Sequence, residues 1–305
     1  MALPILPSFA LVDIATAEGE VGIVPLASSV IDAAVGRIVS GASGAIREYV
    51  GRNLEWGVRT DLVASVNGPP RIVLNDAPIY PKISSSVLSV QLQLDPGVFE
   101  GELTTLVAGQ DFYVEDCDRG FLFRQGRWPT TALHRPDIVQ DQDTNAAELT
   151  TQVSYLAGYV TAVQILQAVV WPGAATTPAA GLIITPSTQL TQVWGCTTSG
   201  VTGGSQPAWP ATPAQFATVT DGGAIWTFLG WNTTVATLPQ ARTLPYALEQ
   251  AAIDCFVTWW RRRGNTLETK NEKFGDSSVD FGNDERYSLP PSTRTLMNPY
   301  RTVVM

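Results

Sequence analysis

The chain has 305 residues and a net charge of −9, and only 15% of its residues are charged. Its 26 glycines and 21 prolines favour a fold with many strands and turns over a helical bundle. The acidic balance argues against a protein that grips nucleic acid, because such binding depends on Lys and Arg side chains that neutralise phosphates.

The first elements in chain order are a lead-in and a long helix. Residues 1–27 contain three prolines and lack the basic start of a signal peptide, so we predict an extended lead-in. A helix is predicted over residues 28–50, and no stretch is expected to reach the length of a membrane span. Its apolar stripe is formed by Ile31, Val35, Ile38, Ala42, Ile46 and Tyr49. The glycines Gly36, Gly41 and Gly44 either permit close approach of another helix or merely weaken this one.

Between residues 59 and 129 the hydrophobic period changes from helical to two, which is typical of half-buried strands. The predicted strands are residues 62–66, 71–74 and 87–94, a hairpin over residues 112–123, and residues 153–159. Together these strands predict a small antiparallel sheet that lies in the sequence between two helices.

The composition changes again between Trp171 and Trp231, where Lys, Arg and Glu are absent. Short strand patterns separated by Gly- and Pro-rich turns predict an all-β module inserted at residues 171–232. The tryptophans Trp194, Trp209 and Trp226 form either the core of this module or a face that stacks on sugars.

Residues 243–264 carry the strongest helix signal in the chain, with Pro245 in the first turn and Gly264 at the end. We expect this helix to pack on the first one. The residues predicted for helix packing or for a ring interface are Ile31, Val35, Ile38, Leu248, Phe256, Trp259 and Trp260. The run Arg261–Arg263 either complements the helix dipole and pairs with a neighbouring subunit, or contacts phosphate.

The C-terminal residues 275–305 are polar in the middle and apolar at the tip, and their prolines exclude a long helix. An extended segment of this kind gains main-chain hydrogen bonds by adding to a partner's sheet. We therefore predict a docking arm, and its contact residues are Leu296, Met297, Tyr300, Val303 and Val304.

The residue patterns of an enzyme or a metalloprotein are missing from the sequence. His134 is the single histidine, and no nucleophile motif accompanies it. Asp137, Asp141 and Asp143 lack the Gly and the final Glu of a calcium loop. The three cysteines are scattered, which fits a reducing cytosol and suggests neither a zinc site nor a disulfide. We predict no catalytic site, no metal and no cofactor.

The order of these pieces resembles the head-tail connector proteins of tailed bacteriophages, also called adaptor or head-completion proteins. The matching stretches are IREYVGRNL at 46–54, PRIVLNDAPIY at 70–80, VLSVQL at 87–92, GFLFRQGRWP at 120–129, VSYLAGY at 153–159, LPYALEQAAIDCFVTWWRRRGN at 244–265 and LPPSTRTLMNPYR at 289–301. The inserted module, with GVTGGSQPAWP at 200–210 and VTDGGAIWTF at 219–228, is similar to a small β module of phage virion proteins.

This resemblance implies a structural virion protein, made in the host bacterial cytoplasm, that is not an enzyme. It implies a homo-oligomeric ring, usually a dodecamer, at the neck of the virion. Its partners would be the portal protein on one side and the tail, or a tail-terminator or stopper protein, on the other. Double-stranded DNA would pass through without specific binding, and no membrane is involved. A net negative charge suits such a channel, because it repels phosphates.

We therefore expect an α+β fold in which two main helices pack with a small antiparallel sheet, plus an inserted all-β module and an extended C-terminal arm. The predicted domains are a connector core at residues 1–170 and 233–274, the module at 171–232 and the arm at 275–305. The alternative function is a virion surface or decoration protein that binds host glycan through the Trp-rich insert.

Overall fold

The computed structural model describes residues 6–24, 28–64, 70–93, 103–125, 128, 150–233, 238–263, 271–274, 277–280 and 288–301. The chain divides into two compact units. The first unit comprises residues 1–55, 161–166 and 243–305, and the second comprises residues 56–160 and 167–242. Helices and antiparallel sheets occur together, so the predicted α+β class is confirmed.

Among the described residues, the α-helices lie in the first unit. They are α1 (Ile14–Glu20), α2 (Ser29–Val50), α3 (Ala162–Leu166), α4 (Tyr246–Arg262) and α5 (Pro291–Met297). The bounds predicted for the two long helices are confirmed to within a few residues. Helix α2 ends at Gly51, whose φ of 78° is the left-handed conformation that glycine adopts without steric cost.

The prediction of an extended lead-in is wrong for residues 14–20, which form α1. Asp13 caps this helix, since its carboxylate accepts a hydrogen bond of 2.9 Å from the amide of Thr16. Helix α1 contacts both α2 and α4. Just before it, the amide of Leu11 donates to Oγ of Ser43 over 3.1 Å, so the lead-in is fastened to α2.

By length and composition alone, helix α2 is long and apolar enough to cross a membrane. The expectation that no stretch reaches the length of a membrane span is therefore wrong for this helix. Its buried residues recur along one side, and the helix contacts α1 and α4. A helix that buries one face against other helices of its own unit has the packing of a core helix.

The strands of the second unit form three sheets. The strands are β1 (Gly57–Ala64), β2 (Arg71–Val73), β3 (Val87–Gln93), β4 (Leu103–Leu106), β5 (Tyr113–Asp116), β6 (Phe121–Phe123), β7 (Thr150–Ala157), β8 (Val169–Val170), β9 (Ile183–Thr185), β10 (Gln192–Thr198), β11 (Thr218–Asp221) and β12 (Ala224–Trp231). The sheet orders are β1-β7-β3-β4, β2-β6-β5 and β11-β12-β10-β9-β8. In the first unit, β13 (Asn271–Phe274) and β14 (Ser277–Asp280) form a hairpin.

The predicted antiparallel sheet is therefore two sheets, of four and three strands, that share one core. That core contains Ile72, Ile79, Val90, Leu122, Trp128, Val153 and Tyr155, all of which are buried. The strand pairs are antiparallel, and β7 occupies the middle of the larger sheet between β1 and β3. Strand β4 had no counterpart in the sequence-based prediction.

The five-stranded sheet contains the predicted insert, and its contacts extend past both predicted boundaries. Strand β8 begins at Val169, and the amide of Ala241 donates to the carbonyl of Trp231 over 3.1 Å. This sheet also packs on the rest of its unit. The hydroxyl of Tyr80 donates to the carbonyl of Leu229 over 3.1 Å. The division into separable domains stays a prediction.

The insert approaches the remainder of the second unit closely at Gly195 of β10. A methyl group added there would overlap the ring of Trp56 and would lie 3.0 Å from Cδ1 of Leu229. The Trp56 ring is itself fixed, because its Nε1 donates to the carbonyl of Tyr80 over 2.7 Å. A side chain at residue 195 cannot be accommodated without moving the indole.

Replacing Gly195 with Ala should therefore lower the free energy of unfolding by about 1–3 kcal/mol, as overpacking of a dense core does. Chemical denaturation of the full chain measures this. Gly204→Ala is the matched control, because no atom lies within 4 Å of the added carbon. Equal stabilities of the two variants would show that Trp56 does not pack on the insert.

Candidate functional site

The predicted packing of the two long helices is confirmed, since α2 and α4 are in contact. On α4, Leu248, Phe256, Trp259 and Trp260 are all buried. The edge of the Trp259 ring lies against α2, and Cζ3 is 3.3 Å from where a methyl group on Gly41 would be. The structure supports the first alternative at Gly41, where the absence of a side chain permits close approach of α4.

The face predicted on α2 is only partly correct. Val35 is buried, but Ile38 is half-buried and Ile31 is 38% exposed. The buried face is rotated toward Asp32, Val35, Gly36, Val39, Ala42, Ser43, Ile46 and Val50. Apolar residues surround much of α2, so more than one stripe fits the helical period. The face that packs is the one that carries the small residues Gly36, Ala42 and Ser43.

The prediction of an extended C-terminal arm is wrong for residues 291–300, which are helical. Helix α5 packs on α4 of its own unit, and Met297 is fully buried. Leu296 and Tyr300 are half-buried, and Val303 and Val304 lie outside the described residues. The proline pair before α5 is compatible with a helix start, because a first-turn residue needs no N–H partner.

Two hydrogen bonds hold this C-terminal segment to the long helices. Nε1 of Trp259 donates to the carbonyl of Ser288 over 3.1 Å. The hydroxyl of Tyr49 donates to Oδ1 of Asn298 over 2.8 Å. The guanidinium of Arg301 also lies 5.0 Å from the centre of the Tyr49 ring. Residues 288–301 therefore belong to the helical core of the first unit.

The three tryptophans of the insert lie in one buried cluster with Phe228. Trp194 and Trp226 are fully buried, and Trp209 is 9% exposed. The rings of Trp194 and Trp209 have centroids 4.9 Å apart, and those of Trp209 and Trp226 are 6.5 Å apart. Of the two alternatives, the structure favours the core role, because a sugar-stacking face must present its rings to solvent.

The centre of the insert is a buried carboxylate that the sequence reading did not select. Asp221 is 3% exposed. Its Oδ2 accepts from Nε1 of Trp171 over 2.9 Å and from Nε1 of Trp226 over 3.3 Å, and its Oδ1 accepts from the amide of Gly203 over 2.7 Å. Composition is the sequence signal that could have identified this residue, because Asp221 is the single charged residue between Trp171 and Trp231.

The glycines of the two insert motifs bring two loops into backbone contact. Gly222 adopts a φ of 63°, and a methyl group there would overlap the carbonyl of Val201. A methyl group on Gly200 would likewise overlap the carbonyl of Gly223. The amide of Gly223 donates to the carbonyl of Val201 over 2.8 Å. These glycines therefore serve loop packing.

A second buried polar network fastens the loop after β2 to the four-stranded sheet. The hydroxyl of Tyr155 donates to Oδ2 of Asp61 over 2.8 Å and accepts from the amide of Asp76 over 3.0 Å. The amide of Asn75 donates to Oδ2 of Asp61 over 2.7 Å, and Nε of Arg59 lies 3.2 Å from Oδ2 of Asp76. Burial and the Asp61 carboxylate raise the pKa of Tyr155. Because Asn75 and Asp76 take part in this network, the NDA stretch at residues 75–77 has a structural role.

Burial raises the pKa of Tyr80 to about 12 from its ordinary value of 10.0. Above pH 10 the unfolded chain loses this proton while the folded chain retains it, so its stabilising contribution is complete below pH 10 and is lost as the pH approaches 12. We expect alkaline destabilisation in this window of roughly 2–3 kcal/mol from Tyr80.

The measurement is the free energy of unfolding between pH 9 and pH 12, by denaturant titration. Tyr80→Phe should reduce the slope without abolishing it, because burial also raises the pKa values of Cys196 to about 11 and of Cys255 to about 12. An unchanged slope in Tyr80→Phe would contradict this origin of the alkaline loss.

The remaining sequence candidates lie outside the described residues. These are His134, Asp137, Asp141 and Asp143. Among the residues that the structure does describe, no group of three or more His, Cys, Asp and Glu side chains is placed to hold a metal ion.

Comparison with known proteins gives likenesses of structure, since two chains among the solved structures match this one. No family model matches the chain, and no curated protein matches it. Among solved structures, the chain is similar to one from the neck of an empty GTA particle, a structure computed with C6 symmetry. The TM-score is 0.42 and the sequence identity 13%, over 100% of this chain and 94% of that one.

Proposed function

We propose that the chain is a structural virion protein of a tailed phage that forms a homo-oligomeric ring at the neck. In this proposal the ring joins the portal to the tail, or to a tail-terminator or stopper protein, and lets double-stranded DNA pass. The role is structural rather than catalytic, and it needs no cofactor. The dodecameric state of related connectors is part of the proposal.

The observation that carries this proposal is that the stretches resembling connector proteins build both cores of the fold. IREYVGRNL supplies Ile46 and Val50 of α2, and the α4 motif supplies its partner face. PRIVLNDAPIY, GFLFRQGRWP and VSYLAGY supply the core of the two antiparallel sheets. The resemblance therefore covers residues that determine the fold as well as surface residues.

Exposed apolar side chains near the start of α2 support subunit contacts. Val30 is 77% exposed, Val24 is 72% exposed and Ile31 is 38% exposed. Apolar side chains as exposed as Val24 and Val30 would be covered by a subunit interface. Ile31, which is 38% exposed, is thus retained as a ring-interface candidate.

The charge of the chain supports passage of DNA without adhesion. Its net charge of −9 is multiplied in a ring, and phosphates are repelled by a lumen of the same sign. The buried positions of Trp194, Trp209 and Trp226 argue against the alternative of a glycan-binding decoration protein.

Imaging of virions that carry a tagged copy of this chain tests the proposal. We expect the tag in a ring at the neck, in a copy number set by the ring symmetry. Heads made without the chain should package DNA but fail to join tails. A tag over the capsid surface, or binding of host glycan that is lost in Trp209→Ala without unfolding, would overturn the proposal and favour a decoration protein.

A further inference from the structure

A cleft of about 410 Å³ lies in the first unit at the C-terminal end of α4. It is lined by Glu20, Val21, Trp260, Arg261 and Arg263. Trp260 and Val21 supply apolar walls, and the two arginines and the glutamate supply charge. The cleft therefore combines the aromatic surface of Trp260 with two guanidinium groups. This composition suits a peptide that has both carboxylate and apolar side chains.

Of the two arginines of this cleft, Arg263 is restrained by an aromatic contact. The guanidinium of Arg263 stacks on Trp260, with Cζ 3.0 Å from the ring centre. Such stacking restricts a flexible side chain while its N–H groups remain free to donate. Among the described residues, no carboxylate lies within salt-bridge distance of Arg261 or Arg263. Partial burial lowers the pKa of Arg263.

We propose that this cleft binds the acidic segment 276–285 of a neighbouring copy of the chain. The segment, DSSVDFGNDE, carries four carboxylates and no basic side chain, and its Val279 and Phe281 are apolar. Its charge complements the two arginines, and its apolar side chains complement Trp260. The inference rests on the proposed function, since a contact between different surfaces of successive copies closes into a ring.

The first test measures binding of a fluorescein-labelled 276–285 peptide by fluorescence anisotropy. The receptor is the full chain with its own segment neutralised, D276N/D280N/D284N/E285Q. We expect saturable binding that weakens with salt, and an affinity at least about tenfold lower when R261E/R263E is added. The control R37E/R294E changes charge equally at exposed positions and should bind as the receptor does. The neutral peptide NSSVNFGNNQ should not bind.

No binding, or equal binding by the R261E/R263E receptor, would overturn the inference. Cleft-dependent binding of a labelled DNA duplex in place of the peptide would also overturn it. Circular dichroism and thermal melting of each receptor confirm that it is folded, so that a lost signal reports the cleft.

The second test distinguishes a neighbouring copy from the same copy. The cleft variant R261E/R263E and the segment-neutralised chain should each fail to form rings, but their mixture should give a 1:1 complex by native mass spectrometry. Each such complex has one intact cleft and one intact segment. Absence of that complex beside normal peptide binding would show contact within one copy and would overturn the inference.

Failure of this inference is distinguishable from failure of the proposed function. Rings of R261E/R263E at the neck would refute the cleft contact and leave the connector role intact. Absence of the wild-type chain from the neck would refute the connector role, whatever the peptide measurement gives.

Discussion

Replacing Trp259 with Ala is expected to lower the free energy of unfolding by about 3–5 kcal/mol, the cost of truncating a buried tryptophan. Trp259 is 5% exposed and lies where α2, α4 and the C-terminal segment meet. Truncation leaves a cavity against Gly41 and removes the hydrogen bond to the carbonyl of Ser288. Denaturant unfolding of the full chain, followed by far-ultraviolet circular dichroism, provides the measurement.

Two further variants separate packing from hydrogen bonding at this position. Trp259→Phe keeps most of the ring contact but loses the 3.1 Å bond to Ser288, so we expect a loss of about 1–2 kcal/mol. Tyr246→Ala, on the same helix but 74% exposed, should change stability by less than about 1 kcal/mol. Equal stability of Trp259→Ala and Tyr246→Ala would contradict the packing of α4 on α2.

This position also shows how far the helical unit could be predicted. The apolar repeat of α4 and its packing on α2 follow from periodicity, because each helix has an apolar face that water disfavours. The exact face of α2 did not follow, since Ile31 and Ile38 satisfy the helical period as well as Val39 does. Which face of α2 is buried depends on which of its residues permit close approach of α4. That depends on both helices together, so the sequence of α2 alone does not determine it.

The C-terminal segment could not be predicted for a related reason. Residues 291–297 form one short helix, and short helices derive their stability from tertiary contacts more than from propensity. The segment just before this helix is held by the indole N–H of Trp259, which donates to the carbonyl of Ser288, 29 residues later in the chain. The predicted docking of the tip on another subunit is wrong for Met297, which is fully buried within its own chain.

In the second unit, strands were predicted where alternation is clear, whereas the buried polar networks were missed. Asp61 and Asp221 are both buried, although aspartate is mostly exposed in proteins. Their partners are the Tyr155 hydroxyl, indole N–H groups and backbone amides from distant segments. Such partners have no fixed spacing in sequence, so neither periodicity nor a motif predicts them.

Asp221→Ala is expected to destabilise the insert by about 3–5 kcal/mol. The substitution leaves the indole N–H groups of Trp171 and Trp226 and the amide of Gly203 without their acceptor. An unpaired buried donor costs about 1–3 kcal/mol, and the total falls below the simple sum because the three sites share one cavity that water can enter.

The matched control for this prediction is Asp118→Ala, which removes an exposed carboxylate paired with Lys82 and should cost less than about 1 kcal/mol.

Trp171→Phe removes one donor together with its bond, and should cost about 1 kcal/mol by itself. Combined with Asp221→Ala, it should cost less than the two separate losses added, because the Trp171 donor is then no longer left unpaired. Unfolding followed by tryptophan fluorescence is the measurement, because the indoles of Trp171 and Trp226 both contact this carboxylate. If Asp221→Ala were as stable as Asp118→Ala, the carboxylate would not organise the insert, and its core would depend on the aromatic cluster alone.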